Sequence, residues 1–164
     1  MAMTAAELVK ADQDHLIHPL HHPIDNAEPM IYVRGRGSMI QEIGGHEYID
    51  GLSGLWNVNI GHGRTELGDA AKAQMDTLAF HSAYAGGTNE KAIALAEKMS
   101  EIAYPSINTF FFTSGGAEST ETSIKTARFY FKAVGKPDKV KVISRQRAYH
   151  GLTLAAMSAT GLSV

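Results

Sequence analysis

The sequence predicts an α/β fold on three observations. An apolar run at residues 108–113, with three consecutive phenylalanines, leads through the glycine turn Ser114-Gly115-Gly116-Ala117-Glu118 into a helix-like stretch to about Val134. A second apolar run at 140–144 follows the turn Gly135-Lys136-Pro137-Asp138. Strand, helix, strand is a β-α-β unit, which implies a parallel sheet and a right-handed crossover. Upstream, short apolar runs punctuated by glycine read as a small antiparallel meander.

In chain order, a short amphipathic helix is expected around residues 4–11, without the basic start and continuous apolar run of a signal peptide. Pro19 and Pro23 make the next stretch an arm or loop. Residues 30–33, 38–43 and 47–49 are the meander strands, with Gly44-Gly45 as a turn. Residues 52–63 have too much glycine for an element interior and too many apolar side chains for a plain linker, as in a segment lining a pocket. Thr65 is positioned to cap a helix bearing Leu67, Ala71, Met75 and Leu78 on one face, and Thr88 another bearing Ala92, Leu95, Met99 and Ile102. Both are expected to be half-buried. The tail at 152–164 is interrupted by Thr153, Ser158, Thr160, Gly161 and Ser163 and is too short to span a bilayer, so it reads as core.

Composition narrows the function classes. The chain has 164 residues, 44% of them hydrophobic and 20% charged, as in folded globular proteins. A net charge of -2 gives no footprint for nucleic acid or an anionic membrane and favours a small-molecule ligand. With no cysteine there is no disulfide framework, thiolate metal site or thiol nucleophile, which fits a cytoplasmic protein. His15, His18, His21 and His22 are crowded enough to suggest a metal site, but the prolines spoil the helix that would gather them, and a surface or dimer-contact arm is the preferred reading; no metal is expected.

The glycine turn is the main chemical signal. A helix start leaves unpaired N–H groups, and glycines let a ligand approach them, so a phosphate is a natural occupant. Tight turn geometry alone is the competing explanation. The pattern lacks the third glycine of a dinucleotide site and the Gly-Lys-Ser/Thr of a P-loop.

The segment from Thr113 to Ser119, continued by Glu121-Thr122 and Ile124-Lys125-Thr126-Ala127-Arg128, resembles the phosphate-cup helix of class III aminotransferases of the omega-transaminase type. The run at residues 51–63, then His81-Ser82, then Tyr149-His150-Gly151-Leu152-Thr153 follow in family order, so the resemblance spans the chain from about Asp14. It implies a pyridoxal-phosphate enzyme of fold type I. Residues 1–63 would be the N-terminal arm and small-domain strands leading into the pocket segment. Residues 64–164 would begin the large cofactor-binding domain, incomplete and including its first β-α-β part.

Carried over by position, the resemblance implies that Gly115, Gly116 and Ala117 offer N–H groups to pyridoxal 5'-phosphate, with Ser114 adding a hydroxyl. Many family members have Ser-Gly-Ser or Ser-Gly-Thr where this chain has Gly115-Gly116-Ala117, which shifts the grip toward the backbone. Tyr149 would stack on the pyridine ring, its alternative being a loop tyrosine on the core, and His150 completes the motif as a local hydrogen-bonding residue. Leu55 and Trp56 match substrate-pocket residues, although the chain's one tryptophan also suits a core anchor. Tyr84 and Ala85 fall in the stretch that approaches the neighbouring subunit's site.

None of the nine lysines matches the Schiff-base position, and the acid that pairs with the pyridine nitrogen is also expected beyond Val164. The resemblance therefore implies a homodimeric transaminase moving an amino group from an amine or omega-amino acid to a keto acid such as pyruvate, with these 164 residues inactive alone. An aminomutase or decarboxylase on the same fold, or a noncatalytic phosphate-binding fragment, remain as alternatives.

Overall fold

The computed structural model describes residues 3–19, 22, 24 and 28–162. The chain folds as two compact units, Met1–Ser82 and Ala83–Val164.

The first unit opens with α1 (Ala5–His15), started by a reciprocal cap. The Thr4 hydroxyl accepts from Glu7 N at 3.3 Å and the Glu7 carboxylate accepts from Thr4 N at 2.7 Å. Three strands follow, β1 (Tyr32–Arg36), β2 (Met39–Glu42) and β3 (Glu47–Ile49), paired antiparallel in the order β1-β2-β3. The meander is as expected, with β1 two residues later than predicted and a register irregularity between Tyr32 and Arg34. Its second turn is tied by Glu42, whose carboxylate accepts from Gly44 N at 2.6 Å and His46 N at 3.0 Å, while Gly45 supplies the positive φ of 97°.

A single turn, α2 (Ser53–Trp56), then winds left-handed: φ is 51° at Ser53, 56° at Gly54, 62° at Leu55 and 64° at Trp56. For the three residues carrying Cβ this conformation costs about 1–2 kcal/mol each, and glycine alone adopts it freely. α3 (Thr65–Leu78) completes the regular elements of the unit, with Arg64 rather than Thr65 at the cap position.

The second unit contains α4 (Glu90–Ile102), α5 (Gly116–Ala133) and α6 (Leu154–Ala159). α4 is capped by Asn89, whose side chain accepts from Ala92 N at 2.9 Å, one residue after the predicted Thr88. α5 runs where the sequence placed it, stopping at Gly135 with φ 78°. α6 falls within the tail that reads as plain core in the sequence.

Two expectations are corrected. Residues 108–113 and 140–144 flank α5 as predicted but form no ladder, and among the described residues the only sheet is the antiparallel meander. A strand exists only through a neighbour that completes its hydrogen bonds, and neither segment has one here. The α3 face is not half-buried: Leu67, Ala71, Met75 and Leu78 are exposed. On α4, Ala92 and Met99 are half-buried while Leu95 and Ile102 are exposed.

The accessible surface is 14084 Å², whereas a monomeric globule of 17.7 kDa exposes about 8,000 Å². Among the described residues only Gly151, Ala156 and Ala159 are buried, all at the joint between α5 and α6. A Cβ on Gly151, whose φ is 121°, would stand 2.6 Å from Ala117 Cβ and 2.7 Å from its Cα. Gly151→Ala is therefore expected to destabilise the intact protein by about 1–3 kcal/mol in denaturant titration.

Candidate functional site

The start of α5 is an uncapped helix terminus. Gly115 occupies the cap position in extended backbone, φ -167° and ψ 167°, and no side chain caps the first turn. Intrahelical partners do not exist for the first N–H groups of a helix. Among the described residues those of Gly115, Gly116 and Ala117 have no acceptor. The 18 residues of α5 align their peptide dipoles behind these donors. Nothing lies within 4 Å of where a Cβ would stand on Gly115 or Gly116, so the approach is open.

The turn is braced from behind. The Glu118 carboxylate accepts from Ser114 N at 2.8 Å, and the Thr113 hydroxyl donates to Gly115 O at 3.2 Å and shares a short hydrogen bond with the Ser119 hydroxyl. An adjoining cleft of about 450 Å³ is lined by Ser114, Glu118, Glu121 and Lys125 among others. Two carboxylates against one ammonium do not suit an anion, whereas the free N–H groups at the start of α5 have the chemistry to hold one.

The 149–153 loop is held against the same end of α5. One Glu121 oxygen, Oε2, accepts from the Thr153 hydroxyl at 2.9 Å, Ala155 N at 3.1 Å and Ala156 N at 3.2 Å. It caps α6 from α5. The Thr153 hydroxyl also approaches Ala117 O at 3.4 Å, and His150 N donates to the Thr160 hydroxyl at 3.0 Å. Thus Ser114, Gly115, Gly116 and Ala117 are gathered in one turn, with the loop bearing Tyr149 and His150 packed beside it through Gly151. Tyr149 keeps 58% of its surface exposed. His150 is half-buried and lines a different cleft, with Thr120, Val142 and Ser144; its hydrogen bond among the described residues is made by its backbone N–H, not its ring.

The specificity candidates are divided between the units. Leu55 and Trp56 stand on α2 of the first, 59% and 68% exposed. Tyr84 and Ala85 form an exposed turn of the second, before Gly86 with φ 83°. Among the described residues no group of His, Asp and Glu could hold a metal ion. His18 pairs with Asp12 at 3.0 Å and His22 accepts from Ile24 N, while His21 lies outside the described residues.

Sequence reasoning missed Glu121 as a cap and the pair formed by Asp50 and His62. His62 Nε2 donates to Asp50 Oδ2 at 2.8 Å, and Asp50 Oδ1 accepts from Gly54 N at 3.1 Å. Both bonds, the His62 bond foremost, hold the Asp50 carboxyl below its usual range. The shift is downward, so its stabilisation is complete above the ordinary carboxylate value and is lost as pH falls through the lowered one. Stability of the intact protein should fall below about pH 4 more steeply than that of Asp50→Asn, with the gap between them widest near neutrality in denaturation series at stepped pH. Separately, Glu121→Gln should cost about 2 kcal/mol by denaturant titration, because charged acceptance at three donors becomes weaker neutral acceptance.

Against known proteins, the family profile described as Aminotransferase class-III matches residues 22–163. The chain is 37% identical over 163 residues to the diaminobutyrate–2-oxoglutarate transaminase of Halomonas elongata, covering 97% of this chain and 35% of that one. It superposes with a TM-score of 0.94 and 45% identity on a thermostable (S)-enantioselective omega-transaminase from Thermomicrobium roseum, covering 99% of this chain and 37% of that one. With the omega-transaminase of Pseudomonas jessenii in complex with PMP the TM-score is 0.88 and the identity 35%, over 94% and 35% of the two chains. The chain thus spans about a third of the length of the relatives it matches.

Proposed function

The chain belongs to the class III aminotransferases, pyridoxal-phosphate enzymes, and from that premise we propose that the protein carrying it moves an amino group from an amine or omega-amino acid to a keto acid such as pyruvate. One observation carries the reading within this structure: the unpaired N–H groups at the uncapped, glycine-open start of α5, beside the loop that bears Tyr149.

That arrangement fits the cofactor. A phosphate dianion suits three free donors at the positive end of a long helix. Gly115, Gly116 and Ala117 would hold it through N–H groups and Ser114 through its hydroxyl, with no hydroxyls at 115–117 to share the load. The exposed Tyr149 ring offers a flat face on which the pyridine ring is oriented. When bound, pyridoxal phosphate supplies an aldehyde that takes up the amine and an electron-poor ring that accepts the charge left when the neighbouring proton departs. Leu55 and Trp56 are the proposed wall of the amine pocket, and Tyr84 with Ala85 the proposed contribution to a neighbouring subunit's site.

The Schiff-base lysine and the acid facing the pyridine nitrogen are taken to lie outside these residues, so the 164-residue chain alone is expected to show no turnover. A homodimer is part of the same proposal, supported by the apolar side chains left uncovered, among them Phe111 at 78% and Ile143 at 95% exposure. The reading is of a cytoplasmic protein, supported by the absence of cysteine; no described helix is long and apolar enough to cross a membrane.

The test is a coupled assay on the intact protein with pyridoxal phosphate, 1-phenylethylamine or an omega-amino acid, and pyruvate. Stoichiometric formation of alanine and the carbonyl product is expected. Amine consumption that does not require a keto acid would point instead to a mutase or decarboxylase, and cofactor binding without change in any amine to a noncatalytic protein.

A further inference from the structure

α2 is strained and sits under the two residues proposed as the pocket wall. Positive φ at four consecutive positions, three of them not glycine, persists only where surroundings over-determine it. Those surroundings are identifiable. At the start, Asp50 O accepts from Ser53 N at 3.2 Å and Asp50 Oδ1 from Gly54 N at 3.1 Å. At the end, Asn57 Nδ2 donates to Gly54 O at 3.2 Å and Leu55 O at 3.0 Å. Asp50 is itself fixed by His62 at 2.8 Å, and its side chain is only 9% exposed.

His62 has a rigid seat. Its backbone pairs with Gly37, with N–H donation both ways at 2.8 and 3.0 Å. Its ring lies over Gly35 of β1, where a Cβ would approach to 2.6 Å. A continuous line of contacts therefore runs from the meander through His62 and Asp50 into α2. An Asp–His pair that merely closed the loop would not need a carboxylate oxygen on the second residue of a left-handed turn.

We propose that Asp50 and His62 are positioning residues for the amine substrate: they hold α2 in its left-handed turn, so that Leu55 and Trp56 stand as a preformed wall that decides which amines are accepted. The proposal rests on the pocket role given above to Leu55 and Trp56. Neither Asp50 nor His62 touches the substrate; each acts through the backbone of α2.

The test uses the intact protein loaded with pyridoxal phosphate. Asp50→Asn keeps an acceptor for Gly54 N–H but loses the charge facing His62, and His62→Gln keeps a donor for Asp50. Two readouts are taken: KM and kcat for a benzylic and a short aliphatic amine, and acrylamide quenching of Trp56, obtained by subtracting each variant's Trp56→Phe counterpart. Asp50→Asn is expected to raise KM for the benzylic amine about tenfold while kcat for the aliphatic amine stays within about twofold. Trp56 should become more quenchable. His62→Gln should resemble the parent and His62→Ala should resemble Asp50→Asn, a comparison that decides the matter if Asp50→Asn does not fold. Ser53→Gly, which removes one left-handed penalty, should lessen the effect of Asp50→Asn on Trp56.

Unchanged quenching and KM in Asp50→Asn overturn the proposal. So does equal damage from His62→Gln and His62→Ala, or a common fall of kcat for both amines with Trp56 undisturbed. Should no version react with any amine, the aminotransferase reading is what fails, and the quenching series still decides the positioning role.

Discussion

One oxygen of Glu121 determines the geometry of the second unit. It accepts from a hydroxyl and two backbone N–H groups 32 to 35 residues further along the chain, at the start of α6. A six-residue helix is too short to be stable by itself, and Thr153, at its cap position, makes no capping bond of its own. Glu121 replaces that cap from a neighbouring helix. Because α5 is long and regular, the carboxylate has a fixed origin, and the loop before α6 is brought against the first turn of α5. The burial of Gly151, Ala156 and Ala159 follows: small residues are what two backbones at this separation admit.

Away from that joint no described residue is fully buried. α1, α4 and the turn between β2 and β3 are stabilised locally, by the Thr4–Glu7 and Asn89 caps and by the ties of Glu42, each of which acts within four residues. Such bonds fix the path of the backbone without burying side chains. The strand-like segments on either side of α5 show the converse, since they have strand composition without strand partners. Local propensity and long-range pairing are separable in this chain, and only the first is fulfilled for residues 108–113 and 140–144.

This separation explains what could be read from the sequence. The meander, α4, α5 and the glycine turn were legible because their signals are local: alternation, 3.6-residue spacing, and Gly115-Gly116 at a helix start. The cap of α4 falls one residue from Thr88 because the adjacent Asn89 competes for the same role, whereas at α3 the cap position falls on Arg64, which has no acceptor to offer and makes no cap bond. α6, Glu121 and the Asp50–His62 pair were not legible, since a carboxylate facing donors 12 or more residues away leaves no periodic trace. The left-handed turn was hidden for another reason. Ser53, Leu55 and Trp56 are poor formers of that conformation, so the sequence argues against it, and it is held by the side chains of Asn57 and of Asp50, the latter fixed by His62, 12 residues further on.

The two proposed binding elements solve one problem in opposite ways. At α5 the donors aimed at the phosphate belong to the backbone of an unstrained helix, so the loss of side-chain hydroxyls at 115–117 leaves their direction unchanged. At α2 the backbone is strained and the polar side chains of Asp50, Asn57 and His62 supply the rigidity. A site that grips an invariant group can rely on helix geometry, which varies little with sequence. A wall that must distinguish substrates needs side chains held at unusual angles, and a strained turn fixed from behind sets those angles without placing further groups in the pocket.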